Sequence, residues 1–276
     1  MLTTPCAKIN LGLHVTERRS DGYHNIETVF YPIPLTDNLE VRELRNSAAP
    51  YLLQLAGNAL EGSPADNLVI RALEELRPDF PQIPPLDIYL FKRIPSGAGL
   101  GGGSSDAAAM LRLLNDMFCL GMDNTEMERR AAHLGADCPF FIQGKPAYAT
   151  GIGDILTPIP LSLRGWILVL VKPADSVSTA QAYAGITPKQ PAQSLREAVE
   201  RPVEEWRNSV TNDFESSVFP RYPRIAAIKE TLYDMGATYA AMSGSGSCVY
   251  GLFRHRQSNA KDIFPDCFVH QAQLLQ

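Results

Sequence analysis

The run Pro95-Ser-Gly-Ala-Gly-Leu-Gly-Gly-Gly-Ser-Ser-Asp106, followed directly by Ala107-Ala-Ala-Met-Leu-Arg-Leu-Leu114, leaves this chain few architectures. Five of the seven residues from Gly97 to Gly103 are glycine, so the backbone there can take positive φ and approach a ligand closely. The Ala/Leu segment reads as a helix, with Ser104 or Ser105 placed to cap it. A glycine loop feeding a helix start collects N–H groups and the positive end of the helix dipole. That combination suits an anion, and a phosphate above all. A flexible linker would not join a helix so sharply, nor carry Leu100 at its centre.

Gly97-x-Gly99-x-x-Gly102 matches the dinucleotide pattern literally, but that pattern alone is weak. Its surroundings argue against it. A second helical segment begins near Thr125, where a Rossmann unit would place a strand ending in an acidic residue. No Gly-Lys-Ser/Thr closes the run, which excludes a Walker A loop, and the protein-kinase His-Arg-Asp and Asp-Phe-Gly signatures are missing. A third kind of phosphate loop remains, one without its own lysine.

With 276 residues, 45% hydrophobic and 20% charged, the chain suits one large or two modest domains of a soluble protein. Net charge −5 gives no basic footprint for nucleic acid or an anionic membrane. An anionic substrate must then be held by a few local cations and backbone amides. The five cysteines (6, 119, 138, 248, 267) are odd in number, scattered and without Cys-x-x-Cys. They read as reduced thiols of a cytoplasmic protein. Lys8 and Asn10 break the apolar start, so no signal peptide is expected, and the longest apolar run, Trp166 to Val171, is too short for a bilayer.

Along the chain, Ala7 to Leu11 alternates as a half-buried strand, with Lys8 and Asn10 on one face. Lys8 could be a plain surface lysine. Glu17 to Gly22 is a polar turn, and Tyr23-His24 beyond it could be surface packing or a base contact. Asp66 is a plausible cap for a helix through Leu76, and Leu86 to Arg93 is a strand leading to the glycine loop. Asp106 is expected in the first helical turn, where it suits the dipole but repels phosphates. Thr125-Glu-Met-Glu128 has capping-box spacing for a helix ending at Gly135, and Asp137 follows it with Pro139. Ser178 to Tyr183 reads as a capped helix start, with Thr179 and Tyr183 on one face. Residues 185–207 read as a polar loop with a short helix. Ile225 to Met235 is an amphipathic helix ended by Gly236, followed by two strands around Ser243-Gly-Ser-Gly-Ser247 and a tail with a short helix and a final strand.

Three of these segments together resemble the GHMP kinase superfamily: Pro5-Cys-Ala-Lys-Ile-Asn-Leu11, the glycine loop to Asp106, and Ser243-Gly-Ser-Gly-Ser-Cys248. Within it, Asp21-Gly-Tyr-His24 and Leu134-Gly-Ala-Asp-Cys-Pro-Phe-Phe141 resemble the branch that phosphorylates 4-diphosphocytidyl-2-C-methyl-D-erythritol, and the similarity runs over nearly the whole chain. The resemblance implies an α+β, two-lobed fold. Residues 1–155 form a nucleotide-binding lobe with the phosphate loop, and residues 156–276 form a ferredoxin-like lobe, entered through Gly151 to Pro158.

It also implies site residues. Pro95, Gly97, Ala98, Gly99, Leu100, Gly101, Gly102, Gly103, Ser104 and Ser105 hold ATP, with Asn67 and Lys92 near the adenine and Ser105 as the Mg²⁺ ligand. Asn10 meets a substrate hydroxyl, and Gly244 and Ser245 cover the substrate. Tyr23 and Tyr183 stack on the cytosine while His24 bonds its edge, with Thr179 beside them; such stacking is worth about 1–3 kcal/mol per base. Lys8 and Asp137 carry the catalysis: Lys8 neutralises charge on the transferring group, and Asp137 accepts the proton of the 2-hydroxyl. The implied partners are small molecules alone, with no nucleic acid and no membrane, in a monomer or weak homodimer. A GHMP kinase for mevalonate or homoserine would keep the loops without needing Tyr23, His24 and Tyr183. A Rossmann dehydrogenase and a non-catalytic nucleic-acid module are the alternatives from other classes.

Overall fold

The computed structural model describes residues 1–45, 48–58 and 63–275. Two compact units emerge: residues 1–7, 35–96 and 101–145 form the first, and residues 8–34, 97–100 and 146–276 the second. The units therefore interleave along the sequence. The boundary expected at 155/156 falls inside the strand Ile155–Pro158, and Gly151 to Asp154 is the turn of its hairpin with Ala147–Thr150 rather than a crossing between lobes.

In the first unit, a four-stranded sheet runs in the order Leu2–Thr3, Asn38–Glu43, Leu86–Lys92, Tyr51–Gly57. Its last pairing is parallel. Leu86, Ile88, Leu90 and Lys92 alternate onto the buried face of their strand, following the two-residue period of extended backbone. The helix Gly102–Phe118 packs against this sheet and against helices Leu68–Leu76 and Asn124–Leu134. Its Ala107 to Leu111 run is buried on every side.

Three helix starts differ from expectation. The glycine-loop helix is opened by Gly101, whose left-handed φ of 69° carries no side-chain cap. Ser104 and Ser105 lie inside its first turn, and Asp106 falls one turn further in than expected. Asn67, not Asp66, caps Leu68–Leu76 by accepting from Val69 N. Asp123, not Thr125, caps Asn124–Leu134 through Glu126 N. In the last two cases a short polar side chain one or two positions away closes the better Ncap geometry.

The second unit holds two sheets. One runs Cys6–Arg18, His24–Thr36, Ala147–Thr150, Ile155–Pro158. Ala7 to Val15 is buried on both faces rather than half-buried, so Lys8 and Asn10 are interior residues. The other sheet has the order Tyr239–Met242, Val249–Phe253, Ile167–Lys172, Phe268–Gln273, antiparallel throughout. That order, with helices in the two crossovers, is the ferredoxin-like arrangement expected. Its core joins Val169, Val171, Val249 and Phe253 to Ile225, Ile228 and Leu232 of the helix Pro223–Asp234. Residues 185–207 are more ordered than a polar loop. Leu195–Val199 and Val203–Asn208 form helical turns that bury Leu195, Val199, Val203 and Trp206. Trp206 packs edge-on against Tyr239 at 5.5 Å, and its indole N–H donates to Arg201 O at 2.9 Å.

Trp206→Ala should therefore cost about 3–5 kcal/mol of stability, the usual range for truncating a buried aromatic. Urea unfolding of the variant would show it as a lower midpoint at unchanged m-value.

Candidate functional site

The segment Gly97–Leu100 lies along the second glycine turn within the second unit. Cys248 N donates to Ala98 O at 3.3 Å, and Ser247 N to Gly97 O at 3.4 Å. A Cβ on Gly99 would sit 2.0 Å from Ser243 O, and its φ is +70°, so both space and backbone require glycine there. Gly99 O accepts from Lys8 Nζ at 3.1 Å and from Ser243 Oγ at 2.8 Å. Lys8 Nζ also donates to Asn10 Oδ1 at 2.6 Å and lies 4.9 Å from the Phe30 ring centre. Lys8 is only 3% exposed, and these two neutral oxygens orient its ammonium. Asn10 Nδ2 donates to Thr28 Oγ1 at 2.9 Å. The expected pair Lys8 and Asn10 is thus brought together, and joined to the phosphate loop.

Three more residues build this arrangement, of which Tyr250 and Asn212 were not singled out in the sequence. Ser243 Oγ accepts from Asn10 N at 3.2 Å, and Tyr250 Oη donates to Asn10 O at 2.8 Å. Asn212 Nδ2 donates to Met242 O and Gly244 O, both at 2.8 Å, which fixes the turn carrying Gly244 and Ser245. A polar residue at the start of an ordinary strand or turn gives no sign of a partner more than 200 positions away.

The expected base-binding residues share the second unit. The His24 ring stacks on Tyr183 at 4.6 Å and 18°, and Tyr183 meets Phe214 edge-on. Tyr183 ends a short helix whose start carries the full capping box, Ser178 with Gln181. Tyr23 stands 62% exposed, so the ring facing Tyr183 is His24 rather than Tyr23. Thr179 is exposed on the first turn of the same helix.

In the first unit, the Gly-Ala-Asp-Cys-Pro turn is tied to the glycine-loop helix. The Cys138 thiol hydrogen-bonds with Ser104, and burial pushes its pKa up to about 11, which fits an inert packing role and no nucleophile. Asp137, half-buried, stands next to it. Ser105 is buried in the first turn. Asn67 uses its Oδ1 as the helix cap. Lys92 is 3% exposed and gives its ammonium to Asp37 and Asp106. Burial raises the Asp106 pKa to about 7, with Lys92 pulling the other way and Asp37 adding to the rise. Among the described residues, no group of three His, Cys, Asp or Glu side chains could hold a metal ion.

The model of GHMP kinases N terminal domain matches residues 67–145, and that of GHMP kinases C terminal matches residues 189–270. The chain is 55% identical to the 4-diphosphocytidyl-2-C-methyl-D-erythritol kinase of Bacteroides fragilis over 99% of its length and 100% of the relative's. It is 50% identical to the kinase of the same name from Parabacteroides distasonis, with the same coverage. Among solved structures it is similar to a 4-(cytidine 5'-diphospho)-2C-methyl-D-erythritol kinase, 32% identical over 98% of both chains with a TM-score of 0.80. The mevalonate kinase of Methanococcus jannaschii shares the fold at TM-score 0.71 and 14% identity, covering 100% of this chain and 98% of that one.

Two outcomes follow from the geometry. Gly99→Ala should destabilise well beyond the roughly 1–2 kcal/mol of a left-handed alanine, because its Cβ meets a backbone carbonyl. Gly97→Ala, whose Cβ would meet only Ser176 Oγ at 3.3 Å, should stay near that figure, and thermal melts of the two variants compare them directly. Asp106 carries a raised folded pKa, so its share of stability is present below the ordinary carboxylate value and lost as pH rises through about 7. Wild type should therefore lose stability relative to Asp106→Asn between pH 5 and pH 8, read as the difference in their melting temperatures.

Proposed function

This chain belongs to the GHMP kinases, a family of ATP-dependent phosphotransferases, and from that membership we propose its reaction and the roles of its residues. It transfers the γ-phosphoryl group of ATP to the 2-hydroxyl of 4-diphosphocytidyl-2-C-methyl-D-erythritol, giving the 2-phosphate and ADP. The observation that carries the reading in this molecule is Lys8, buried and pinned by Gly99 O and Asn10 Oδ1 against the phosphate loop itself.

Phosphoryl transfer is mainly a matter of positioning and charge stabilisation. Backbone N–H groups of residues 97–103 and of the helix start hold the polyphosphate, as free amides at a helix N-terminus do. Lys8 meets charge developing on the transferring group, a contribution of electrostatic preorganisation. Asp137 accepts the proton of the attacking hydroxyl. Asn10 has two amide hydrogens; one serves Thr28, and we assign the other to the substrate. Gly244 and Ser245 cover that substrate, with their turn fixed by Asn212.

The donor set fits a magnesium ion that arrives with the nucleotide, since such ions are held largely by phosphates and water with one or two protein oxygens. Ser105 is the residue we assign to it. When bound, the ion would neutralise charge shared between the β- and γ-phosphates. Asn67 and Lys92 lie on the nucleotide side of this reading. Lys92 acts there through its carboxylate partners.

Tyr23, His24 and Tyr183 recognise the cytosine, with Thr179 at the margin. The ring of His24 now occupies a face of Tyr183, so base binding on that face displaces it toward the base edge. This aromatic group separates the reading from a mevalonate or homoserine kinase. The product places the enzyme in the non-mevalonate route to isoprenoid precursors. Five free thiols, Cys6, Cys119, Cys138, Cys248 and Cys267, suit a cytoplasmic setting.

Release of ADP from ATP and Mg²⁺ should occur with 4-diphosphocytidyl-2-C-methyl-D-erythritol and not with mevalonate or homoserine. Turnover with another acceptor would discard the cytosine site. Asp137→Asn should lower kcat by about 10²–10⁴-fold, the usual span for a general base, and near-normal turnover in the folded variant would refute that role. Tyr183→Ala should raise KM for the cytidine substrate about 5- to 150-fold, equivalent to about 1–3 kcal/mol of stacking, with KM for ATP unchanged.

A further inference from the structure

Lys92 closes the buried row Leu86, Ile88, Leu90 of its strand, and a lysine in that position needs compensation. It finds two carboxylates, Asp37 and Asp106. Asp37 sits in the single-residue gap between the strands ending at Thr36 and starting at Asn38 and is fully buried. Its Oδ2 takes the Lys92 ammonium, and its Oδ1 accepts from Arg93 N at 2.5 Å and Ile94 N at 2.8 Å. Its own N donates to Pro5 O at 3.0 Å. One side chain thus fixes three successive residues that lead into Pro95. Through Lys92 it also reaches Asp106, on the helix that leaves the glycine loop. The two stems touch at Gly102 as well, where a Cβ would lie 2.8 Å from Ile94 Cγ2 and 3.4 Å from Lys92 Nζ.

We propose that Asp37 is a positioning residue for the phosphate loop, holding its incoming stem directly and its outgoing helix through Lys92 and Asp106. The proposal rests on the kinase reading. Asp37 touches neither nucleotide nor alcohol and exchanges no proton. It sets the spacing of the two stems, and with it the aim of the N–H groups presented to the polyphosphate. Buried ionic clusters add little to stability against apolar replacements of equal shape, so fixing a particular arrangement is the use left for one placed at both ends of a ligand loop. The carboxylates are not equivalent. Asp37 is satisfied at both oxygens, whereas Asp106 Oδ1 has no hydrogen-bond partner. Asp37→Asn keeps one acceptor oxygen and puts an NH2 in place of the other, so it gives up either the two backbone N–H groups or the lysine, while Asp106→Asn leaves the Asp37–Lys92 pair in place.

The test uses the full chain with Asp37→Asn, Asp106→Asn and Lys92→Met. KM is measured for ATP and for the cytidine substrate separately, and ADP and adenosine are compared as binding probes by calorimetry or competition. Asp37→Asn should raise KM for ATP and weaken ADP about tenfold or more, the effect of losing one or two charge-assisted hydrogen bonds behind the loop. KM for the cytidine substrate and adenosine binding should stay within about twofold. Asp106→Asn keeps an oxygen that can accept from Lys92 and so preserves the link to the helix; it should bind ADP within about twofold of wild type. Equal losses for both substrates, or a lower melting temperature with unchanged ADP affinity, would overturn the proposal. If Asp37→Asn does not fold, Lys92→Met decides: weaker ADP with unchanged adenosine supports loop positioning, and a loss shared by adenosine assigns Lys92 to the base and overturns it. A wild-type chain with no turnover would sink the kinase reading, while the ADP and adenosine comparison would still judge Asp37.

Discussion

The carbonyl of Gly99 is the point on which the second unit's functional residues converge. It accepts from Lys8 and from Ser243, and it can do so only because residue 99 has no Cβ to strike Ser243 O. Everything nearby is arranged through that contact. Ser243 also holds the Asn10 backbone, Tyr250 holds the Asn10 carbonyl, and Asn212 holds the carbonyls on either side of Ser243. Each bond of this kind is worth about 0.5–1.5 kcal/mol net. Together they remove the freedom of a lysine side chain that would otherwise spread over many rotamers. A lysine with its orientation already fixed costs nothing to order when charge develops beside it, which is how preorganised electrostatics lowers a barrier.

The sequence was most legible where chemistry is local. The glycine loop, the Ala/Leu helix, the capped helix start at Ser178 and the strands around Ser243 to Ser247 each carry their signal within a dozen residues, and the structure holds all of them. Helix starts at Asn67, Gly101 and Asp123 were misplaced by one to four residues. Several Ser, Thr, Asn and Asp side chains compete for each cap there, and the choice is settled by packing. The helical turns at 195–208 were hidden because their buried residues, Leu195, Val199, Val203 and Trp206, are separated by charged ones.

Long-range polar pairings were illegible for a different reason. Ser243 with Asn10, and Asp37 with Lys92, are separated by 233 and 55 positions, and nothing at either end alone marks the partner. One signal was available. Leu86-x-Ile88-x-Leu90-x-Lys92 keeps the two-residue period of a buried strand face into a lysine, and a cation continuing such a row demands a carboxylate. The same holds for Asp106, placed between the glycine loop and a run of alanines in a helix with no exposed side at that level.

Two buried lysines, 3% exposed each, show how an acidic chain can handle polyanions. Lys8 donates to two neutral oxygens, Gly99 O and Asn10 Oδ1, which fix its direction. Lys92 is held by two carboxyl groups, Asp37 and Asp106, and does structural service instead. A net charge of −5 is then no obstacle to binding ATP. What matters to a triphosphate is the field within a few ångströms, while an acidic surface beyond is screened within about 8–10 Å at physiological salt.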